Sequence, residues 1–285
     1  MKIGAIYPQI ELGGDPRAFD AVARAVEALG YDSFAMFDHV AGAVHADRDP
    51  PLWGPYTERD PFHDPMVALG YVAGITDRIE LVTGILVLPQ RQTLLAARQA
   101  TDIDLLSGGR LRLGVGVGWN YVEFEALGQN FHSRGARLSE QIVLIRRLWA
   151  EPVVDFTGSF HRIDRLALNP RPDRPIPIWC GGVSAPAYRR AAKLAAGFIF
   201  GGPLERVLSA WQSIQRYLEE EGRDPASFGA DWQLPDGTNV ATSLELIKRW
   251  EDVGGTHCAV RTMKLGYRAS EQHIDHFAEV RSRLG

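Results

Sequence analysis

Asp38-His39 follows directly after a strand-like run at residues 33–37 and is the pair of side chains best suited to acid–base chemistry. A histidine at a strand end hydrogen-bonds oxygen atoms of a substrate or cofactor and exchanges a proton near neutral pH. The alternative is that His39 only closes the strand and fixes the long loop behind it. We favour a catalytic role for His39, because the carboxyl ends of strands carry the chemistry in parallel barrels.

The segment Gly181-Gly182-Val183-Ser184 joins another strand-like run to the start of a helix. Free amides, a hydroxyl group and the positive end of a helix together bind a phosphate monoester. The alternative is an ordinary glycine-rich turn in which Ser184 caps the helix. The residues alone do not separate these two interpretations.

Two further strand ends are rich in glycine and read Gly84-Ile85-Leu86-Val87 and Gly116-Val117-Gly118-Trp119. Glycine has no Cβ, so these ends suit a broad planar ligand that the backbone approaches closely. The alternating glycines of residues 113–118 do not match the dinucleotide-binding pattern, because that pattern lies in a strand–helix unit and needs an acidic residue about twenty positions later.

No metal site is predicted. Neither the loop group of His45, Asp47 and Asp49 nor the helical pair of His273 and His276 has a matched third ligand at zinc spacing. We expect the loop acids to be solvated and the two helical histidines to lie on the surface. A nucleophile elbow and a P-loop are also missing, which favours an enzyme whose chemistry belongs to a bound cofactor.

These candidate residues lie on eight strand-like runs that alternate with helical patterns. The strands are predicted at residues 3–7, 33–37, 79–86, 111–115, 176–180, 197–200, 230–234 and 257–261. The helices are predicted at residues 16–29, 64–74, 93–106, 134–150, 186–195, 204–221, 243–253 and 270–284, with a hairpin at 153–156 and 160–163. This order predicts a single TIM (β/α)8 barrel domain over residues 1–285, with insertions in the βα loops. An open doubly wound sheet is the alternative.

Composition narrows the class of partner. The 285 residues are 45% hydrophobic and 23% charged, with a formal charge of −4 and no basic stripe, which argues against nucleic acid. No apolar run approaches the length of a membrane span, and the first residues do not resemble a signal peptide. Cys180 and Cys258 are expected to be buried free thiols. A cytoplasmic location and no membrane partner are therefore expected.

The stretch 41–63 is too long for an ordinary connection and is rich in proline and aspartate. We interpret it as a lid over a small-molecule substrate, with Trp53 as a candidate substrate contact. Its aromatic residues, which include Tyr56 and Phe62, are alternatively a structural clasp.

Several stretches together resemble the luciferase-like monooxygenase superfamily, and within it a group of F420-dependent oxidoreductases. They are residues 29–33 with Asp38-His39, 83–91, 104–110, 114–119, 123–128 and 177–182. The resemblance spans nearly the whole chain but discriminates poorly between cofactors.

The resemblance implies a flavin or deazaflavin ring in the barrel mouth near Gly84, Ile85 and Val87, with a cis peptide at Gly84–Ile85. It further implies Asp38 and His39 at the ring edge, with His39 exchanging a proton. Residues 116–118 (Gly116, Val117 and Gly118) would line the ribityl side, and Gly181, Gly182, Val183 and Ser184 would hold the phosphate. Relatives often form homodimers, here near Met66, Leu69, Val72 and Ala73, residues that are alternatively core.

One departure bears on the substrate. Sugar-phosphate dehydrogenase relatives have a glutamate where this chain has Trp119, so an apolar or aromatic substrate is expected to contact Trp119. The first functional hypothesis is hydride transfer between coenzyme F420 and a small organic substrate. An FMN-dependent monooxygenase that uses reduced flavin and oxygen is the alternative, and a non-catalytic cofactor carrier or sensor is a third.

Overall fold

The computed structural model describes residues 1–285 and contains eleven strands. In chain order they are β1 (Lys2–Ile6), β2 (Ser33–Met36), β3 (Glu80–Thr83), β4 (Leu86–Val87), β5 (Leu111–Gly116), β6 (Val154–Thr157), β7 (Arg162–Leu166), β8 (Ile178–Gly181), β9 (Gly197–Gly201), β10 (Gly229–Gln233) and β11 (His257–Val260). β6 and β7 form the predicted hairpin outside the main sheet, one to three residues later than expected.

The remaining strands close into a parallel barrel. Their order is β3-β2-β1-β11-β10-β9-β8-β5, and β5 pairs with β3 to complete the circle. β3 and β4 are two parts of one barrel strand, interrupted at Gly84 and Ile85, and both parts pair with β5. The prediction of an eight-stranded barrel is therefore confirmed, and the alternative of an open sheet is wrong. The predicted third strand, residues 79–86, is broken before its end.

Nine helices surround the barrel. They are α1 (Pro16–Ala28), α2 (Pro65–Ile75), α3 (Thr93–Leu106), α4 (Tyr121–Ala126), α5 (Arg134–Ala150), α6 (Ala185–Leu194), α7 (Leu204–Glu220), α8 (Val240–Asp252) and α9 (Ser270–Leu284). α1 and α2 each begin with a proline after an aspartate, Asp15 or Asp64, whose carboxylate accepts backbone N–H groups of the first turn. This is the arrangement that stabilises helix starts.

Buried polar side chains close the lower end of the barrel, where the strands begin. The guanidinium of Arg112 bonds Asp231 at 2.7 Å and Glu80 at 2.9 Å, and it lies 4.4 Å above the ring of Trp179. A side chain at Gly197 or Gly229 would overlap the Trp179 indole, so glycine is needed at both positions. The lower end of the barrel is thereby filled by side chains, which leaves the upper end as the candidate location of a site.

Burial corrects one expectation and confirms another. His273 and His276 are buried rather than on the surface, because α9 packs against α1 and α8. Their Nδ1 atoms contact the hydroxyls of Thr262 and Tyr267, respectively. Cys180 and Cys258 are buried and free, as expected. No helix has the length and apolar character needed to cross a membrane.

Candidate active site

His39 lies just beyond β2 at the barrel mouth, and its side chain is only 9% exposed. Three aromatic rings surround the imidazole edge-on, with centroid distances of 5.3 Å to Tyr56, 4.9 Å to Phe62 and 5.4 Å to Trp119. These rings keep bulk water away from the imidazole. We call Tyr56, Phe62 and Trp119 the aromatic cage.

Glu123 is the polar partner of His39 and was not among the site residues predicted from the sequence. Asn120 caps α4 by accepting the N–H groups of Val122 and Glu123, which fixes Glu123 in the first turn. Its Oε2 lies 3.2 Å from Nδ1 of His39, while Oε1 accepts the backbone N–H groups of Val40 and Ala41. Glu123 lies in a stretch that resembles the family, but nothing in its spacing pointed to His39.

Burial by itself raises the pKa of Glu123, but the hydrogen bonds from His39 and from the backbone of Val40 outweigh that effect and lower the pKa below its usual range. A carboxylate that accepts several N–H groups is stabilised in its ionised form. Glu123 is therefore negatively charged at neutral pH, although its side chain is almost completely buried.

Asp38 holds the framework of the mouth together. Its carboxylate pairs with Arg91 at 2.6 Å and accepts the N–H of Val87 at 2.8 Å, and Arg91 also pairs with Asp64 at 2.8 Å. These bonds join the end of β2, the start of α2 and the segment after β4. The side chain of Asp38 faces this network and is completely buried, so Asp38 positions the adjacent His39.

The Gly84–Ile85 peptide is cis, as the resemblance implies, and it lies in the gap between β3 and β4. Gln233 at the end of β10 donates to the Gly84 carbonyl at 2.9 Å across the barrel. A Cβ at Gly84 would come within 2.5 Å of Nε2 of Gln233, so the bulge and the glutamine fit each other.

The glycines of the mouth make room for neighbouring side chains of the protein. A Cβ at Gly116 would lie 2.6 Å from Cδ1 of Ile85, and a Cβ at Gly181 would lie 2.8 Å from Cγ2 of the same residue. Gly118, with a φ of +69°, similarly makes room for Val87. The Ile85 side chain therefore lies across the ends of β5 and β8. The sequence pattern suggested close approach of a planar ligand to these glycines, and the structure shows that they also make room for Ile85 and Val87.

The other residues that were predicted to line the cofactor differ in their surroundings. Val117 packs against the apolar core between strands and helices, away from the mouth. Val183 and Ser184 are exposed at the start of α6, and their N–H groups donate to no group of the chain. The Ser184 hydroxyl caps no backbone N–H, which contradicts the alternative of a capping serine. Gly182 has a φ of +146°, and a Cβ there would lie 2.8 Å from Ala187.

The loop at residues 41–63 bends over the mouth. Tyr56 and Phe62 point inward, and the OH of Tyr56 accepts a hydrogen bond from Arg261 at 3.1 Å. The Trp119 ring lies against Gly54, where any side chain would overlap it. Trp53, predicted to contact the substrate, is 81% exposed and points away from the cage. The loop therefore covers the mouth and is also held in place, because Arg261, which contacts Tyr56 of the loop, is itself fixed by its ion pair with Asp236.

Clefts also exist elsewhere on the surface. One of about 560 Å³ lies between α5, α6 and α7, and another of about 340 Å³ lies between α1 and α2. Neither contains His39 or a cluster of residues at strand ends. The constellation at the mouth is therefore the better candidate for catalysis.

Fold and site together define a class: a TIM-type barrel in which a buried histidine, a strand bulge and free helix amides all lie at the carboxyl ends of the strands. The sequence pattern of the luciferase-like monooxygenase family matches residues 4–232. The chain belongs to this family.

Two relatives illustrate the range of sequence similarity. An uncharacterised protein of Mycobacterium tuberculosis is 33% identical over 248 residues, which cover 84% of this chain and 83% of the relative. The pyrimidine monooxygenase RutA of Pseudomonas syringae is 29% identical over 191 residues, or 64% of this chain and 52% of that enzyme.

Solved structures share the fold at low identity. An F420-dependent secondary alcohol dehydrogenase in complex with an F420-acetone adduct superposes with a TM-score of 0.80 at 16% identity, over 98% of this chain and 97% of that chain. The monooxygenase RslO1 of Streptomyces bottropensis gives 0.77 at 20% identity, over 98% of both chains. The F420-dependent tetrahydromethanopterin reductase of Methanopyrus kandleri gives 0.77 at 15%, over 98% of this chain and 97% of that chain.

Proposed function

We propose that the protein is an F420-dependent oxidoreductase that transfers a hydride between the deazaflavin and a small, uncharged organic substrate. The observation that carries this proposal is a single acid–base residue, His39, enclosed by the aromatic cage and hydrogen-bonded to an ionised glutamate. Such a site moves one proton and needs a cofactor for the redox step.

The residues of the mouth fit a deazaflavin. Ile85 and the ends of β5 and β8 would support the ring, and the free N–H groups of Val183 and Ser184 at the start of α6 would hold a phosphate. Arg206, which has no carboxylate partner and lies against Gly202 at the next strand end, would add positive charge. When bound, the deazaflavin supplies the two-electron acceptor or donor.

The protein's own groups would then perform three tasks. His39 exchanges a proton with a substrate oxygen, the cage excludes water, and the network of Asp38, Arg91 and Asp64 fixes the backbone that carries His39. Because the three cage rings are largely apolar, a neutral alcohol or carbonyl compound fits the enclosure better than a phosphorylated one. The F420-dependent alcohol dehydrogenase that shares the fold supports this choice.

An FMN-dependent monooxygenase is the second candidate, because RutA is among the relatives and RslO1 among the structures that share the fold. A dry aromatic enclosure would also protect a reduced flavin that reacts with oxygen. Oxygen consumption by the protein with reduced FMN, coupled to substrate hydroxylation, would favour this candidate.

The deciding experiment is titration of the purified protein with F420 and, separately, with FMN, followed by intrinsic Trp fluorescence. We expect F420 to bind more tightly than FMN, and Ser184→Asp to weaken binding at least about tenfold because it places a negative charge beside the phosphate. Ser209→Asp, on the exposed side of α7, is the matched control and should leave the affinity unchanged. Preference for FMN would favour the monooxygenase, and binding of neither would refute both. Tight F420 binding without turnover of any alcohol or ketone would favour a carrier or sensor.

We also propose a homodimer. Met66, Leu69, Val72 and Ala73 are buried core residues, so the opposite side of α2 is the candidate contact surface. That side exposes Val67, Tyr71 and Gly74 and carries no charge. Sedimentation of the wild type should show a dimer and Val67→Glu a monomer; a monomeric wild type would refute the proposal.

A further inference from the structure

We propose that Glu123 is the positioning residue that fixes the tautomer of His39, so that Nε2 is the nitrogen that accepts a proton from the substrate. This inference rests on the proposed function only in its last step, the identity of the reaction. The tautomer itself follows from the hydrogen bonds of the protein alone.

The charge and bonding capacity of Glu123 determine which nitrogen of His39 carries the hydrogen. Oε1 accepts the N–H groups of Val40 and Ala41, which can only donate. The amide of Gln90 also stabilises the ionised Glu123. An ionised carboxylate has acceptor positions only, so an atom in close contact with Oε2 must be a donor. Nδ1 of His39 lies 3.2 Å from Oε2, and it must carry a hydrogen to make this contact favourable.

The hydrogen on Nδ1 determines the role of the other nitrogen of His39. With hydrogen on Nδ1, the neutral imidazole has its lone pair on Nε2. Nε2 has no hydrogen-bond partner in the chain and is not fully enclosed. It is therefore the free acceptor of the mouth, as expected for a general base that awaits a substrate hydroxyl.

No other charged group competes for the imidazole. From the loop, Tyr56 and Phe62 present aromatic rings, and Trp119 does so from the end of β5. Neither of the nearby charged residues bonds to the imidazole. Asp38, just after β2, pairs with Arg91, and Arg261, just after β11, donates to the Tyr56 hydroxyl. Glu123 is thus the single carboxylate that orients His39.

In the oxidation of an alcohol, the substrate O–H bond would break and its proton would form a new N–H bond at Nε2. A bound deazaflavin would supply the acceptor for the hydride of the carbinol carbon, so that the product is a carbonyl compound. The imidazolium that results stays paired with Glu123 through Nδ1–H, in the manner of the carboxylate of a catalytic triad. The reverse reaction returns the proton from Nε2 to the carbonyl oxygen.

The test is ¹⁵N NMR of histidine-labelled protein without cofactor, with the His39 signals assigned from a His39→Asn variant. In the wild type above pH 8, we expect Nδ1 to be protonated and Nε2 to be unprotonated. In Glu123→Gln, the side-chain amide can donate to Nδ1, so the proton should move partly or wholly to Nε2. Glu125→Gln, at an exposed position of the same helix, is the matched control and should keep the wild-type tautomer.

A wild-type His39 protonated at Nε2, or a Glu123→Gln spectrum identical to that of the wild type, would overturn the inference. If Glu123→Gln does not fold, the wild-type spectrum alone decides. Because the measurement needs no cofactor, its outcome is independent of whether F420 or FMN binds.

A second readout applies once turnover is established. Glu123→Gln should then lower kcat on the order of 10²–10⁴-fold, the usual contribution of a general base, with little change in KM. An equal effect of Glu125→Gln, or a change confined to KM, would argue against a positioning role.

Discussion

The contact between Ile85 and the glycines of β5 and β8 predicts a specific energetic coupling. Gly116→Ala would place a Cβ 2.6 Å from Cδ1 and 2.9 Å from Cγ1 of Ile85, closer than normal packing permits. Overpacking of this kind costs about 1–3 kcal/mol. The lower entropy of the unfolded alanine variant returns about 0.4–1 kcal/mol, so we expect a net loss of about 1–2 kcal/mol.

The assay is a double-mutant cycle measured by urea unfolding and Trp fluorescence. Ile85→Ala removes the side chain that occupies the space, so Gly116→Ala in that background should cost little. The coupling free energy should be about 1–3 kcal/mol, the full cost of overpacking, because the entropy gain of the alanine is the same in both backgrounds and cancels. Gly201→Ala is the matched control at another strand end, because a Cβ there meets nothing within 4 Å.

The reasoning would be refuted by a Gly116→Ala cost that is the same with isoleucine and with alanine at position 85. That result would mean that the glycine serves the backbone or a ligand. A large cost for Gly201→Ala would show that any side chain at a strand end is harmful, whatever the space around it.

Three further predictions concern stability at acid pH, the buried ion pair of Asp38 and Arg91, and the loop at residues 41–63. Burial and the nearby charge of Arg112 lower the pKa of His257 to about 3, so the unfolded state takes up the proton first and stability falls as the pH drops below 6.5. Between pH 7 and pH 5, His257 alone should lower the free energy of unfolding by about 2 kcal/mol. His257→Gln should remove this part of the pH dependence. An unchanged loss of stability in urea titrations at the two pH values would show that His257 is not its source. Asp38→Asn leaves Arg91 without its buried partner and should lower the free energy of unfolding by about 3–5 kcal/mol. The carboxylate of Asp64 is 34% exposed, so Asp64→Asn should cost only about 0–1 kcal/mol. Equal costs of the two substitutions would show that burial of the ion pair is not the cause. Tyr56→Phe removes the hydroxyl that Arg261 contacts and should speed proteolytic cleavage within residues 41–63 several-fold, while cleavage at the wild-type rate would mean that this hydrogen bond does not hold the loop.

Much of the architecture could be predicted from the order of elements. The helices at 93–106, 134–150 and 270–284 begin and end where the pattern placed them, since apolar spacing and flanking residues mark them clearly. The short seventh strand was also predicted, at 230–234 against the observed Gly229–Gln233. Parallel strands between helices leave few topologies open, so the barrel followed.

The site was harder to predict because its contacts join distant parts of the chain. Glu123 lies 84 positions from His39, and nothing local to either residue indicates their contact. The pattern of glycines showed that something lies close to the ends of β5 and β8, but Ile85, which the bulge turns inward, is visible only in three dimensions. The two α9 histidines were placed on the surface because their polarity was read without the tertiary contacts that bury them.

The closed lower end of the barrel has a kinetic consequence. Trp179 fills the space above Gly197 and Gly229, and Arg112 joins the strands around it with buried ion pairs, so that end offers no passage. Every ligand of the interior therefore arrives and departs through one opening, beneath the loop at residues 41–63. Where two molecules share a single opening, the inner one enters first and leaves last. Binding and release at this barrel should consequently follow a compulsory order, in which the inner molecule cannot dissociate while the outer one is bound.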